Sequence, residues 1–105
     1  MYCEALLIIR DELKTIHSWS KEMVRIFKDR ESEDYKMIKK YNDELKSCLS
    51  GIERILKLQD NKMEATRVAM EICHHCDAEC MQLKLPGGAD GSLPFKNLIA
   101  TLLNI

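Results

Sequence analysis

The sequence predicts an all-α fold, an antiparallel three-helix bundle with a short fourth helix packed against it after a Gly/Pro loop. Two observations carry this expectation. Apolar residues recur at heptad spacing in three successive stretches, and a fold back at two short polar turns brings the three stripes into register. The stripes are Tyr2, Leu6, Ile9, Leu13, Ile16, Ser20, Met23 and Phe27; then Ile38, Tyr41, Leu45, Cys48, Ile52 and Ile55; then Ala65, Ala69, Ile72, Cys76 and Leu83. Composition agrees, since 105 residues that are 46% hydrophobic and 31% charged, with four Gly and two Pro, suit one globular unit.

Helix one is expected over residues 2–29, closing in the charged run Lys28-Asp29-Arg30-Glu31. Helix two follows over 32–58, where Ser32 is placed to cap it and Glu33 and Asp34 complement the positive end of its dipole. Asp60-Asn61 makes the second turn. Asn61 with Glu64 has the layout of a capping box and starts helix three, expected over 61–85. Pro86-Gly87-Gly88-Ala89-Asp90-Gly91-Ser92 is rich in helix breakers and separates it from a fourth helix over 94–105.

Antiparallel neighbours meet where one residue number rises as the other falls. Ile9, Ile52 and Ala69 then share one height, followed by Leu13, Cys48 and Cys73; Ile16, Leu45 and Cys76; Ser20, Tyr41 and Cys80; and Met23, Ile38 and Leu83. Each layer is largely apolar, a consistency across segments that a wrong helix assignment would not produce. The third helix turns mostly small side chains inward. Phe95, Leu98, Ile99, Leu102 and Leu103 form the stripe expected to fill the space beside them.

Sixteen basic against seventeen acidic residues give a net charge of -1, which argues against general attraction to nucleic acid or to anionic membrane. No apolar run is long enough to span a bilayer, and the chain starts without a signal-peptide pattern, so a cytoplasmic or nuclear protein is expected. The periodic pattern begins at Tyr2 and is still apolar at Ile105, as in a domain excised from a longer protein.

Five cysteines include the run Cys73-His74-His75-Cys76-Asp77-Ala78-Glu79-Cys80. A structural zinc takes four converging Cys or His ligands. On an unbroken helix Cys73, Cys76 and Cys80 share a face while His74 points roughly opposite to Cys76. The cysteines therefore read as reduced, buried small hydrophobes, with no metal and no cofactor expected. A Cys/His metal-binding bundle, completed by Cys48 or His17, stands as an alternative.

Arg10 and His17 lie two turns apart on one flank of helix one. The spacing resembles the Arg-x4-6-His motif of HEPN-type ribonucleases, which are also small helical bundles. The resemblance implies metal-independent RNA cleavage at a dimer interface, carried by Arg10 and His17. As a plain pair, the same residues read as a solvated arginine and a flank histidine.

The leading expectation is non-catalytic. Leu7, Ile8, Leu49, Leu56 and Leu58 are large apolar residues off the inward stripes, near the end that holds the second turn. A group of this kind predicts a docking face for a partner helix in a groove, or for a second copy in a homo-oligomer. The chain is thus expected to be a protein-protein interaction domain of scaffold or adaptor type.

Overall fold

The computed structural model describes residues 2–58, 61–75 and 83–103. Four helices pack against one another: α1 (Tyr2–Ile26), α2 (Glu33–Lys57), α3 (Lys62–His75) and α4 (Leu93–Leu103). Helices α2 and α4 each pack on both α1 and α3. No β-strand occurs among the described residues.

Helix α1 stops at Ile26, short of the expected residue 29, and the chain turns through Phe27–Glu31. Asp29 organises this turn by accepting the Glu31 N–H through its side chain and the Ser32 hydroxyl through its carbonyl. Ser32 in turn accepts the Tyr35 N–H at 3.1 Å and caps α2 as expected. Phe27 packs tilted against Tyr35 with ring centroids 6.0 Å apart, and the Arg30 guanidinium lies 5.6 Å over the same ring. At the second turn Asn61 accepts the Glu64 N–H at 3.1 Å and caps α3.

Leu6, Ile9 and Leu13 of α1, Tyr41, Leu45, Cys48, Ile52 and Ile55 of α2, Ala65, Val68, Ala69 and Ile72 of α3, and Phe95, Leu98 and Leu102 of α4 form one buried cluster. Burial of each large side chain contributes roughly 1.5–3 kcal/mol. The α1–α2 register follows from two cross-helix contacts. The Ser20 hydroxyl meets Oδ1 of Asn42 at 2.9 Å, and Arg10 meets Glu53 at 3.8 Å, so residue numbers rise along α2 as they fall along α1. Ser20 is fully buried, and its hydroxyl also lies 3.0 Å from the His17 carbonyl, which leaves this core polar group bonded.

On the α3 side, Gly51 sits in the middle of α2 where a Cβ would come within 2.5 Å of Ile72 Cδ1. The missing side chain lets the two helices approach closely. Arg54 and Glu71 then bridge the same pair of helices at 3.8 Å.

The expectation that helix three continues to Leu85 is corrected at its far end. Residues 76–82, which carry Cys76, Asp77 and Cys80, lie outside the described residues, but 83–92 are not helical. Leu85 precedes Pro86, whose ring disfavours the helical conformation of the residue before it. Gly87 and Gly88 then adopt φ of 89° and 87°, a reversal open to glycine. The two sides of the reversal pair through a Lys84–Asp90 bridge, with Leu85 N–H on the Ala89 carbonyl at 2.8 Å and Gly91 N–H on Leu83 at 2.7 Å. Leu83 and Leu85 still pack against the core, so the apolar periodicity there reported burial rather than helix.

The reversal is fastened to the core by Tyr41. Its buried hydroxyl donates to the Gly91 carbonyl at 2.9 Å, fifty residues along the chain, and its ring meets Phe95 edge-on at 5.4 Å. Asp90 accepts from the N–H and hydroxyl of Ser92, whose bonds hold its carboxyl below the usual range and lead directly into α4. Helix α4 turns Phe95, Leu98 and Leu102 inward, as expected of the stripe that fills the space beside the small α3 residues, while Leu103 is exposed.

Candidate functional site

The five residues expected to form one apolar face fall in three places. Ile8 is 68% exposed and lies on the α1–α4 flank, where Ala5, Ile9, Glu12, Asn97, Ala100 and Thr101 line a shallow depression with it. Leu58 is the C-cap of α2 at the second turn, and its carbonyl accepts the Asn61 N–H. Leu7, Leu49 and Leu56 share the outer seam between α1 and α2. Glu53 fixes that placement, since it faces Arg10 at 3.8 Å and Lys14 at 3.9 Å. Leu49 and Leu56 stand one turn before and one turn after Glu53, and Leu7 stands two turns before Lys14.

Burial differs from expectation as well. Leu49, Leu56 and Leu58 are half-buried and packed against the core, Leu7 is half-buried, and only Ile8 of the five is exposed. The five share a height in the bundle but not a face. Neighbours in sequence on a helix are rotated by about 100°, which separates Leu7 from Ile8.

The seam carries a charge pattern that hydrophobic patterning did not bring out. Arg10, Lys14, His17 and Lys21 follow at one-turn steps along α1. In the register set by Ser20–Asn42 and Arg10–Glu53, Leu7 is level with Leu56, Lys14 with Leu49 and His17 with Lys46. Lys21 and Lys46 both lie close enough to His17 to act on its ionisation. Burial, foremost, and then these two ammonium groups push the imidazole below its ordinary pKa. Arg10 and Lys14 share the Glu53 carboxylate, and Arg10 also reaches Asp11 at 3.4 Å. Farther along α2, Lys39 and Asp43 pair with each other at 3.5 Å.

This setting engages the Arg10–His17 pair that resembles the ribonuclease motif. The Arg10 guanidinium is held by Asp11 and Glu53, and its Nε is buried without a hydrogen-bond partner among the described residues. His17 is half-buried, and its carbonyl rather than its ring is the group that meets Ser20.

A cleft of about 450 Å³ opens on the other side of α2, lined by Glu44, Ser47, Gly51, Arg54, Val68 and Glu71 among others. Arg54 and Glu71 pair across it at 3.8 Å, and Asp43, Glu44 and Lys46 also line it. On α3, Met63 and Met70 stand two turns apart and are 86% and 58% exposed, with Arg67 between them paired to Glu64 and Glu71.

Cys48 is a buried thiol in the core, and Cys73 is a half-buried free thiol whose pKa is raised by burial. Cys76 and Cys80 lie outside the described residues, and among the described residues no group of three or more His, Cys, Asp or Glu is placed to hold a metal. Among the same residues no helix is long and apolar enough to cross a membrane. No protein-family model, no curated protein and no solved structure matches the chain.

Proposed function

We propose that this chain is a non-catalytic helical-bundle interaction domain of scaffold or adaptor type, and that its partner is a protein helix laid along the α1–α2 seam. In this reading α1, α2 and α3 form an antiparallel three-helix bundle, and α4 closes its open side. The observation that carries the proposal is the set of half-buried leucines beside the α1–α2 seam, Leu7 on α1 and Leu49 and Leu56 on α2, the α2 pair packed against the core. A groove with an apolar floor is what an amphipathic helix needs in order to bury its own apolar stripe. Free thiols at Cys48 and Cys73 agree with a cytoplasmic or nuclear setting for such a module.

The test replaces Leu49 and Leu56 together by Gln. Half-buried leucines that serve a partner should tolerate the change, with helical circular dichroism unchanged and a thermal midpoint within a few degrees of the parent. Binding of amphipathic helical peptides selected on the parent should be lost. A variant that unfolds would make these leucines ordinary core and remove the support for the proposal.

A further inference from the structure

We infer that α4 is an exchangeable element, and that the groove it fills between α1 and α3 accepts in its place the α4 of a second copy of this chain. The inference is independent of the α1–α2 seam.

The groove is defined by the helix that lies in it. Helix α4 packs on α1 along one side and on α3 along the other. Its inward residues Phe95, Leu98 and Leu102 follow at i, i+3 and i+7, and all three are buried. A second copy brings the same stripe at the same spacing, so the fit of the occupant follows from the chain itself. An identical element exchanged between copies remakes its contacts in the partner, which makes exchange a low-cost route to a dimer.

The segment that leads into α4 is suited to opening. Pro86, Gly87, Gly88 and Ala89 are exposed, and a Cβ at either glycine would meet nothing within 4 Å, so the tip of the reversal stands clear of the core. On its two sides the Leu85 N–H donates to the Ala89 carbonyl at 2.8 Å and the Gly91 N–H to the Leu83 carbonyl at 2.7 Å. These pairs, with the Lys84–Asp90 bridge between them, are antiparallel and centred on Gly87. Two copies with straightened hinges, running antiparallel about Gly87, re-form each of them between chains. The Tyr41 hydroxyl then donates to the Gly91 carbonyl of the second copy, and its ring meets that copy's Phe95. What is given up belongs to the turn: the Gly88 N–H bond to the Leu85 carbonyl at 3.0 Å, and the positive φ of both glycines. Leu83 and Leu85 stay on their own core, so the exchanged unit is 90–103.

The test exploits that φ. The closed turn holds Gly87 and Gly88 at 89° and 87°, where alanine is strained, whereas an extended hinge has the negative φ that alanine adopts freely. Gly87→Ala/Gly88→Ala therefore penalises the closed chain and spares the exchanged dimer. Parent and variant are refolded from urea with reductant at equal, millimolar concentration, and resolved by size-exclusion chromatography with light scattering. Both should yield dimer, and the variant's dimerisation constant should be larger by at least about tenfold. In dimers refolded from mixed isotope-labelled and unlabelled chains, the Tyr41 ring of one copy should give nuclear Overhauser contacts to Phe95 of the other. A parent that stays monomeric at this concentration would overturn the inference. So would a variant whose thermal midpoint falls with no gain in dimer, since the glycines would then serve the turn alone. A dimer whose Tyr41–Phe95 contacts stay within each chain would overturn it in favour of two closed copies meeting face to face. Each of these failures leaves the peptide-binding test of the seam untouched.

Discussion

Replacing Gly51 by Ala sets two well-understood effects against each other. In the interior of an exposed helix the change stabilises by about 1 kcal/mol, because alanine is the best helix former and glycine among the worst. At this position a Cβ would lie 2.5 Å from Ile72 Cδ1 and 2.7 Å from Ile72 Cγ1, distances at which one group must move. Ile72 is buried in the same cluster as Val68 and Ala69 and borders the cleft on its other side, so it gives way only by leaving its place in that cluster. Forcing an extra methyl into a packed site costs about 1–3 kcal/mol, which exceeds the gain in propensity. Gly51→Ala should therefore destabilise the fold by about 1 kcal/mol, a fall in thermal midpoint of about 4–8 °C for a chain of this size. Urea titration, with an unchanged m-value, would give the same quantity. The control is Ile72→Ala, which costs about 2–5 kcal/mol alone by leaving a cavity. In that background the added methyl meets open space, and Gly51→Ala should become stabilising. A rise in midpoint on Gly51→Ala in the parent chain would refute the close approach of α2 and α3 at this point.

Leu13 is fully buried, so Leu13→Asp places an unpaired charge in the core and should abolish the cooperative melt; a retained parental midpoint would overturn the α1 register. Tyr41→Phe keeps the edge-on contact with Phe95 but leaves the Gly91 carbonyl without its donor, and should cost about 1–3 kcal/mol in urea titration, with an unchanged midpoint as the refuting result. Burial and the ammonium groups of Lys21 and Lys46 lower the His17 pKa from 6.5, so neutral His17 contributes stability that is complete above the unfolded value and is lost as pH falls through the folded one. An NMR titration should find its midpoint below 6.5 and higher in Lys46→Gln; a parental midpoint at or above 6.5 would refute the packing of the seam.

The inward faces of α1 and α2 were legible because two long amphipathic helices repeat their signal over many turns. Ser32 and Asn61 were legible because capping is local chemistry that needs no knowledge of tertiary contacts. The end of the third helix was misread where Leu83 and Leu85 prolonged the apolar period, although Pro86 already argued against a helical Leu85. Gly51 carried no readable message, since a lone glycine in a helix signals weakness unless the opposing Ile72 is known. The seam was half legible. The one-turn spacing of Arg10, Lys14, His17 and Lys21 is plain in the sequence, but the pairing of Arg10 and Lys14 with Glu53 needs the rotation of α2 about its axis.

The Ser20–Asn42 bond, made by a fully buried hydroxyl to a half-buried amide, works as a stop between two long helices that leucine and isoleucine alone would allow to slide. A slip by one turn would leave the Ser20 hydroxyl to the His17 carbonyl and strip the half-buried Asn42 amide of this partner, at up to about 1–3 kcal/mol. The pairing of α1 with α2 is thereby keyed at one height, and the apolar layers on either side of it inherit that alignment.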